Sequence, residues 1–394
     1  MRIGVDATCW QNNRGYGRHA RSLLKALVQQ DEQNDYTFFL DSDKNIDELP
    51  AAAKLHLVRA SAPAATAASS NGHRSLGDMW RMSREMSRPD LDLLLFPTIY
   101  SYVPVFSRAR KIVIIHDVIA ETYPELTLPS PMSRLFWKAK VALGRWQADA
   151  LATVSDYSRQ GIIKRFNLAA DRVSVVGEAS DPVFHVLENP VLTPHLRDLG
   201  LRPEERFIVY VGGFNPHKNL ESRVAVFAEL AARETYSDVR LVMVGEYQKE
   251  VFHSYFETIK AKVDQLHVAD LVVFTGYLPD EELAVLLNLA TVFVLPSLLE
   301  GFGLPAVEAA ACGCPVIATS ASPLPSLLGE GGIYFEPHAS EVLKQSLESV
   351  LSSQELREHM RQEGSAATGR LTWEAAARQL LNLIQNVMKD PQNP

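Results

Sequence analysis

The segment 293–319 constrains this chain most, because it writes strand, glycine loop, helix start and strand in immediate succession. Residues 291–295 form an apolar, β-branched run of the length of a buried strand. Pro296 stops it. Gly301 and Gly303 follow, both suited to positive φ and to close approach of backbone to a ligand. Pro305 fits the first turn of a helix. The small side chains of 306–312 let that helix pack closely, Gly313 ends it, and 315–319 reads as the next buried strand. Amides at such a helix start bind phosphate oxygens. Glu300 and Glu308 frame the loop. A solvated surface role fits Glu308 poorly, since Val307 and an alanine run surround it.

The rest of the chain repeats this alternation, which predicts an α/β architecture of parallel sheets. Buried strands are expected at 2–6, 36–40, 55–58, 91–96, 111–115, 148–155 and 173–176, then at 207–211, 240–244, 271–275 and 333–335. A stretch rich in Pro, Asn and Glu from Asp181 to Pro203 reads as the interdomain linker. Residues 60–75, rich in Ala and Ser, read as a mobile loop, and 389–394 as a frayed tail. The length, 394 residues, suits two or three domains. A net charge of −8 points away from nucleic acid. Cys9, Cys312 and Cys314 make no disulfide framework, which fits a reducing cytosol. No signal peptide is expected before the first strand, and no apolar window reaches the ~18 residues of a membrane span.

Several residues stand where ligands of open α/β sheets bind, past the carboxyl ends of strands. Gly15 and Gly17 lie in an expected loop between the first strand and a helical stretch, 18–30; glycines there serve turns as readily as ligands. His116 ends a core strand, where a hydrogen-bonded structural histidine is as natural as a functional one. Lys218 follows Gly212 and Gly213 and precedes a helix, the layout of a phosphate site. The stretch 134–147 interleaves Leu135, Phe136, Trp137 and Trp146 with Arg134, Lys138, Lys140 and Arg145. A core-packed helix with a solvated face is the ordinary reading. A surface for anionic lipid or a lipid-linked acceptor is the other.

The Glu-x7-Glu spacing of Glu300 and Glu308, with Gly301, Phe302, Gly303, Leu304 and Pro305 between them, strongly resembles the signature of retaining glycosyltransferase family four. The flanking Pro-Ser and the Cys-Gly-Cys-Pro-Val turn agree with it, and the resemblance covers almost the whole chain. It implies the GT-B fold: a Rossmann-like acceptor domain over 1–190, a Rossmann-like nucleotide-sugar donor domain over 191–371, and a C-terminal helix over 372–394 returning to the first. It implies transfer of a sugar from a nucleotide-sugar donor to an acceptor hydroxyl with retained anomeric configuration. No cofactor or metal is expected, the nucleotide-sugar being a substrate.

The same resemblance assigns roles. Glu300 and His116 contact the donor sugar, Glu308 the ribose, and backbone at Tyr277 and Leu278 the nucleotide base. Gly15, Gly17, Gly213 and the amides of 301–304 line the donor, and Lys218 takes the diphosphate. The family's usual loop arginine falls at Gly213, leaving His217 or Arg223 to compensate; Arg14 fills a usual glycine position. Loop sequences at 212–219 and 178–182 look like those of bacterial polysaccharide mannosyltransferases, so GDP-mannose is the expected donor. The acceptor is expected to be carbohydrate or lipid-linked, with peripheral contact at the inner membrane face of the cytoplasm. A GT-B sugar-nucleotide epimerase and a non-catalytic sugar-nucleotide-binding protein are the rival readings.

Overall fold

The computed structural model describes residues 1–12, 15–61, 75–128, 130–247 and 255–389. Arg14, most of the expected mobile loop and the end of the expected frayed tail lie outside the described residues. The chain divides into two compact units. The first holds Met1–Glu178 and the chain from Thr372 onward, the second Ala179–Leu371.

In the first unit the strands are β1 (Arg2–Asp6), β2 (Asp35–Leu40), β3 (Lys54–Leu57), β4 (Leu93–Phe96), β5 (Arg110–Ile114), β6 (Ala150–Thr153) and β7 (Val173–Val175). They form one sheet in the order β3-β2-β1-β4-β5-β6-β7, parallel throughout. β4 and β6 are buried at every residue, as expected of strands covered on both faces. Their near-continuous apolar sequences follow from that double burial. The helix Trp373–Lys389 packs on the helix Gly15–Gln30, burying Trp373, Ala377, Leu380 and Ile384. Gln379 caps the contact by accepting a hydrogen bond from the Gly177 amide at 2.9 Å.

The glycines expected in a loop before that first helix lie inside it, because the helix starts at Gly15 and not at residue 18. Gly17 is required by space: a Cβ there would sit 1.9 Å from the Asn12 carbonyl oxygen. The helix Pro131–Gln147 meets its ordinary reading only in part, packing on the core through Val141, Trp137 and Leu143. It buries only Val141 and Gly144, and Met132, Leu135, Phe136 and Trp146 are exposed. Three of its four basic side chains turn inward instead. Arg134 donates to the Leu128 carbonyl at 3.1 Å, Lys140 donates to that of Tyr100 at 3.0 Å, and Arg145 lies 4.0 Å over the Phe166 ring.

In the second unit the strands are β8 (Arg206–Val211), β9 (Val239–Val244), β10 (Val272–Gly276), β11 (Val292–Leu295), β12 (Val316–Thr319) and β13 (Gly332–Phe335). Their order, β10-β9-β8-β11-β12-β13, is again parallel and reverses once, between β8 and β11. The first sheet reverses between β1 and β4. Both orders are those of a dinucleotide-binding doubly wound sheet, whose ligands sit past the carboxyl ends at the reversal. Cys9, Cys312 and Cys314 are all free and buried.

Gly331 fixes how the Gln354–Thr368 helix sits. A Cβ on Gly331 would meet the Gly364 backbone at 2.4 Å, so at this point the two backbones meet glycine to glycine. Gly331→Ala must push the helix away, at a cost of about 1–3 kcal/mol. Thermal unfolding should show a Tm several degrees lower, and an unchanged Tm would mean the contact yields freely.

Candidate functional site

At the reversal of the second sheet, two loops are stitched to each other. After β8 the backbone passes Gly212, Gly213 and Phe214 into a short turn, Pro216–Lys218, then Asn219 in the left-handed region at φ 54°. Asparagine tolerates that conformation, and its side chain is used there: Nδ2 donates to the carbonyls of Pro296 and Pro337 at 3.2 and 2.9 Å. The Leu298 amide donates to the His217 carbonyl at 2.9 Å. These bonds bring Lys218 to Glu300. The Lys218 ammonium lies 2.7 Å from Glu300 Oε1, and Ser297 donates to the same oxygen at 2.5 Å. Glu300 is 8% exposed, so its charge is held in a mostly desolvated place where the lysine attraction is strong.

The glycine loop then starts the helix Leu304–Ala311. Of its two glycines only Gly303 takes positive φ, 83°, and a Cβ there would press on Leu324 at 2.9 Å. Phe302 and Leu304 are buried, so they pack the loop down while the backbone carries its polar surface. Glu308 is fully buried within the helix, which excludes a solvated surface role. Past β10, Gly276 has φ 72° and turns the chain so that Tyr277 is exposed and Leu278 buried.

Two residues beside Gly213 differ in what they can supply. His217 is lowered to about 3 by burial and by the neighbouring Lys218, so its ring is neutral. Arg223 is 1% exposed, and burial lowers it only to about 9, so it stays charged. Its Nη1 donates to the Val294 carbonyl at 3.1 Å, and the guanidinium lies 5.4 Å over the Tyr210 ring. The Tyr210 hydroxyl in turn donates to the Gly213 carbonyl at 2.7 Å. The missing loop arginine thus has a buried cation beneath its position.

In the first unit, His116 follows β5, with its carbonyl accepting from Thr153 Oγ1 at 3.2 Å. Its Nε2 is 3.1 Å from Nδ1 of His19, in the second turn of the Gly15–Gln30 helix. His19 Nε2 is 3.8 Å from Glu178. Nothing in the sequence marked His19, and Glu178 stood out only within the 178–182 loop, because residues 97 positions apart such as His19 and His116 meet only through the strand order. Burial lowers His116 to about 4; burial and then His116 hold His19 well below the usual histidine range. Tyr16, between the two glycines, stacks on Tyr100 at 5.1 Å, and Tyr100 packs on Trp137, whose indole donates to Glu121 at 2.7 Å.

His19, His116 and Glu178 are the one group among the described residues whose spacing suggests a metal. One ligand atom from each lies within 4.8 Å of the others. In the structure His19 faces His116 through Nδ1 and Glu178 through Nε2, so the trio forms a line of polar contacts.

Two family models match: Glycosyltransferase Family 4 over 13–182 and Glycosyl transferases group 1 over 194–367. The chain belongs to glycosyltransferase family four. It is 28% identical over 286 residues to the serotype-specific mannosyltransferase WbdA of Escherichia coli, 72% of this chain but only 34% of WbdA. The chain therefore spans about a third of that relative. Identity is also 28% to the O-antigen chain mannosyltransferase B of Escherichia coli, covering 69% of each. Solved structures resemble it along its length. Sucrose-phosphate synthase from Thermosynechococcus elongatus gives a TM-score of 0.76 at 19% identity, covering 98% and 99% of the two chains. Anabaena HepE in complex with UDP and glucose gives 0.73 at 16%, with the same coverage. The fold of this family-four chain is GT-B.

The desolvated rings of the partly buried His116 and His217 make stability depend on pH. Their folded values lie below the ordinary 6.5, so between the two values the unfolded chain binds protons that the native chain does not. Their contribution is full above about pH 6.5 and is lost as pH falls through 4. The urea midpoint should drop on acidification from about pH 7 to 5, and a flat midpoint would mean these rings are not buried neutral.

Proposed function

We propose that this family-four glycosyltransferase is a retaining hexosyltransferase that moves mannose from GDP-mannose to a carbohydrate or lipid-linked acceptor hydroxyl in surface polysaccharide synthesis. The observation that carries the reading is the Lys218–Glu300 pair set at the reversal of a doubly wound sheet, beside a helix start. Its chemistry is that of a departing diphosphate. As the glycosidic bond breaks, negative charge grows on the β-phosphate and positive charge on the sugar ring. Lys218, the loop amides of 301–304 and the start of the Leu304–Ala311 helix stabilise the first, and Glu300 the second. Glu308 takes the ribose, Tyr277 and Leu278 the base, and Gly15, Gly17 and Gly213 the diphosphate. His116 is neutral and meets the sugar without adding charge against it.

Transfer with retention follows if the acceptor attacks from the face the phosphate leaves, giving its proton to that phosphate. Mannose rests on the likeness to WbdA and mannosyltransferase B, both mannosyltransferases. Because HepE holds UDP, the base is tested directly: GDP should raise Tm more than UDP, and the reverse order would overturn the GDP assignment. Free nucleotide and a new glycosidic product with the donor's anomeric configuration should appear together by NMR. Nucleotide release without product, or an epimerised sugar, would overturn transfer. Because side-chain and backbone groups carry the diphosphate charge, added chelator should leave the rate unchanged; a lost rate would place a metal there.

Glu300→Gln should lower kcat about tenfold or more with little change in donor affinity, as expected of a contact that strengthens while charge develops. Glu308→Ala should weaken nucleotide binding by calorimetry. Lys218→Ala should slow transfer strongly. Full activity in Lys218→Ala would remove it from the leaving-group role.

The outward Met132, Leu135, Phe136 and Trp146 support peripheral membrane contact at the cytoplasmic face, and no described helix is long and apolar enough to cross a membrane. Leu135→Ser with Phe136→Ser should reduce co-flotation with anionic vesicles, and equal flotation would dismiss that surface.

A further inference from the structure

We propose that His19 and Glu178 are positioning residues that hold His116 in one tautomer, with the proton on Nε2 and Nδ1 bare. The proposal deepens the reading of His116 as a donor-sugar contact and rests on it for its catalytic consequence. Three elements meet in the line: His19 on the Gly15–Gln30 helix, His116 after β5, and Glu178 just past β7. His19 is fully buried, Glu178 is 7% exposed, and the two imidazoles meet edge to face with centroids 4.7 Å apart. Trp373 packs on the other side of His19 at 5.8 Å and brings no charge.

The assignment follows from what each atom can do. A carboxylate only accepts, so the His19 nitrogen facing Glu178, Nε2 at 3.8 Å, carries the proton. A neutral imidazole carries one proton, so His19 Nδ1 is then an acceptor. The atom 3.1 Å from it, His116 Nε2, must donate. That leaves His116 Nδ1 unprotonated; the atom is buried and has no hydrogen-bond partner among the described residues. The reverse arrangement would aim a His19 lone pair at the Glu178 carboxylate in a desolvated place. Burial makes that repulsion costly, which is why a 3.8 Å contact, too long for a hydrogen bond, still selects the tautomer electrostatically.

The consequence for transfer is geometric and electrostatic. A ring pinned at Nε2 cannot flip, and its backbone is pinned as well by Thr153. It stays neutral, so it sets no like charge against the positive charge that grows on the sugar. His19 and Glu178 touch neither donor nor acceptor in this account; they act through His116.

The test reads the ring nitrogens of the full chain labelled with 15N-histidine, without any ligand, and then kinetics. In the wild type, His116 should show a protonated Nε2 and a bare Nδ1 near pH 7. His19→Asn keeps an acceptor at the Nδ1 position and should keep that tautomer. His19→Ala removes it, and His116 should become a mixture of tautomers. Glu178→Leu should produce the same mixing with both rings present. In transfer assays His19→Ala should lower kcat at least about tenfold while KM moves less than about threefold, and His19→Asn should restore most of kcat. A protonated Nδ1 on His116 in the wild type overturns the proposal, as does a His19→Ala enzyme with wild-type kcat. If His19→Ala does not fold, the wild-type and His19→Asn spectra decide. Because the spectra need no donor, the stated tautomer in a protein that transfers no sugar would overturn the proposed function and leave the positioning contact standing.

Discussion

A parallel sheet ends each strand with amides and carbonyls that have no further partner in the sheet, and where the strand order reverses the connections part to opposite faces. That constraint places everything discussed for this chain. In the second unit the reversal lies between β8 and β11, and the two loops that leave it carry Lys218 and Glu300. In the first it lies between β1 and β4. The glycines and His19 follow β1, and Tyr100 follows β4. The sheet supplies rigid strand ends, and the loops inherit their precision through bonds such as Leu298 to His217 and Asn219 to Pro296.

Charge in these places is governed by desolvation. Glu300 is buried with a lysine and a serine hydroxyl on one oxygen, which satisfies it at rest. An anion arriving beside Lys218 would compete with Glu300 for the same ammonium. Arg223 cannot move into that competition, since it is enclosed beneath Tyr210 and β11. Its guanidinium packs on Tyr210, whose hydroxyl holds the Gly213 carbonyl. The neutral state of His217 follows from the same burial.

The strands were legible because double burial writes near-continuous apolar runs; β4, β5, β8 and β11 begin and end within a residue or two of where their sequences place them. The signature loop was legible because Gly303, Pro305 and the small residues after them each answer a local demand. What sequence could not give was long-range and conformational. The first helix absorbs Gly15 and Gly17, because Gly17 is needed for the approach of Asn12, a contact invisible to periodicity. The amphipathic pattern of Pro131–Gln147 suggested core packing, which Val141, Trp137 and Leu143 supply, yet three of its basic side chains find partners inside the unit while Met132, Leu135, Phe136 and Trp146 face out. His19 looked like one more helical residue, and its meaning depends on His116 and Glu178 arriving from β5 and β7.

The chain's route also orders its own assembly. The first unit needs the last helix, Trp373–Lys389, to cover the Gly15–Gln30 helix, but the whole second unit is made before it. On the ribosome the early sheet must wait with that apolar flank uncovered, while the later unit emerges complete from contiguous chain. That later helix brings Trp373 to the ring of His19. A chain broken before Thr372 would thus carry an intact second unit and an unfinished first one, and the cell's quality control would see the difference as exposed leucine and isoleucine.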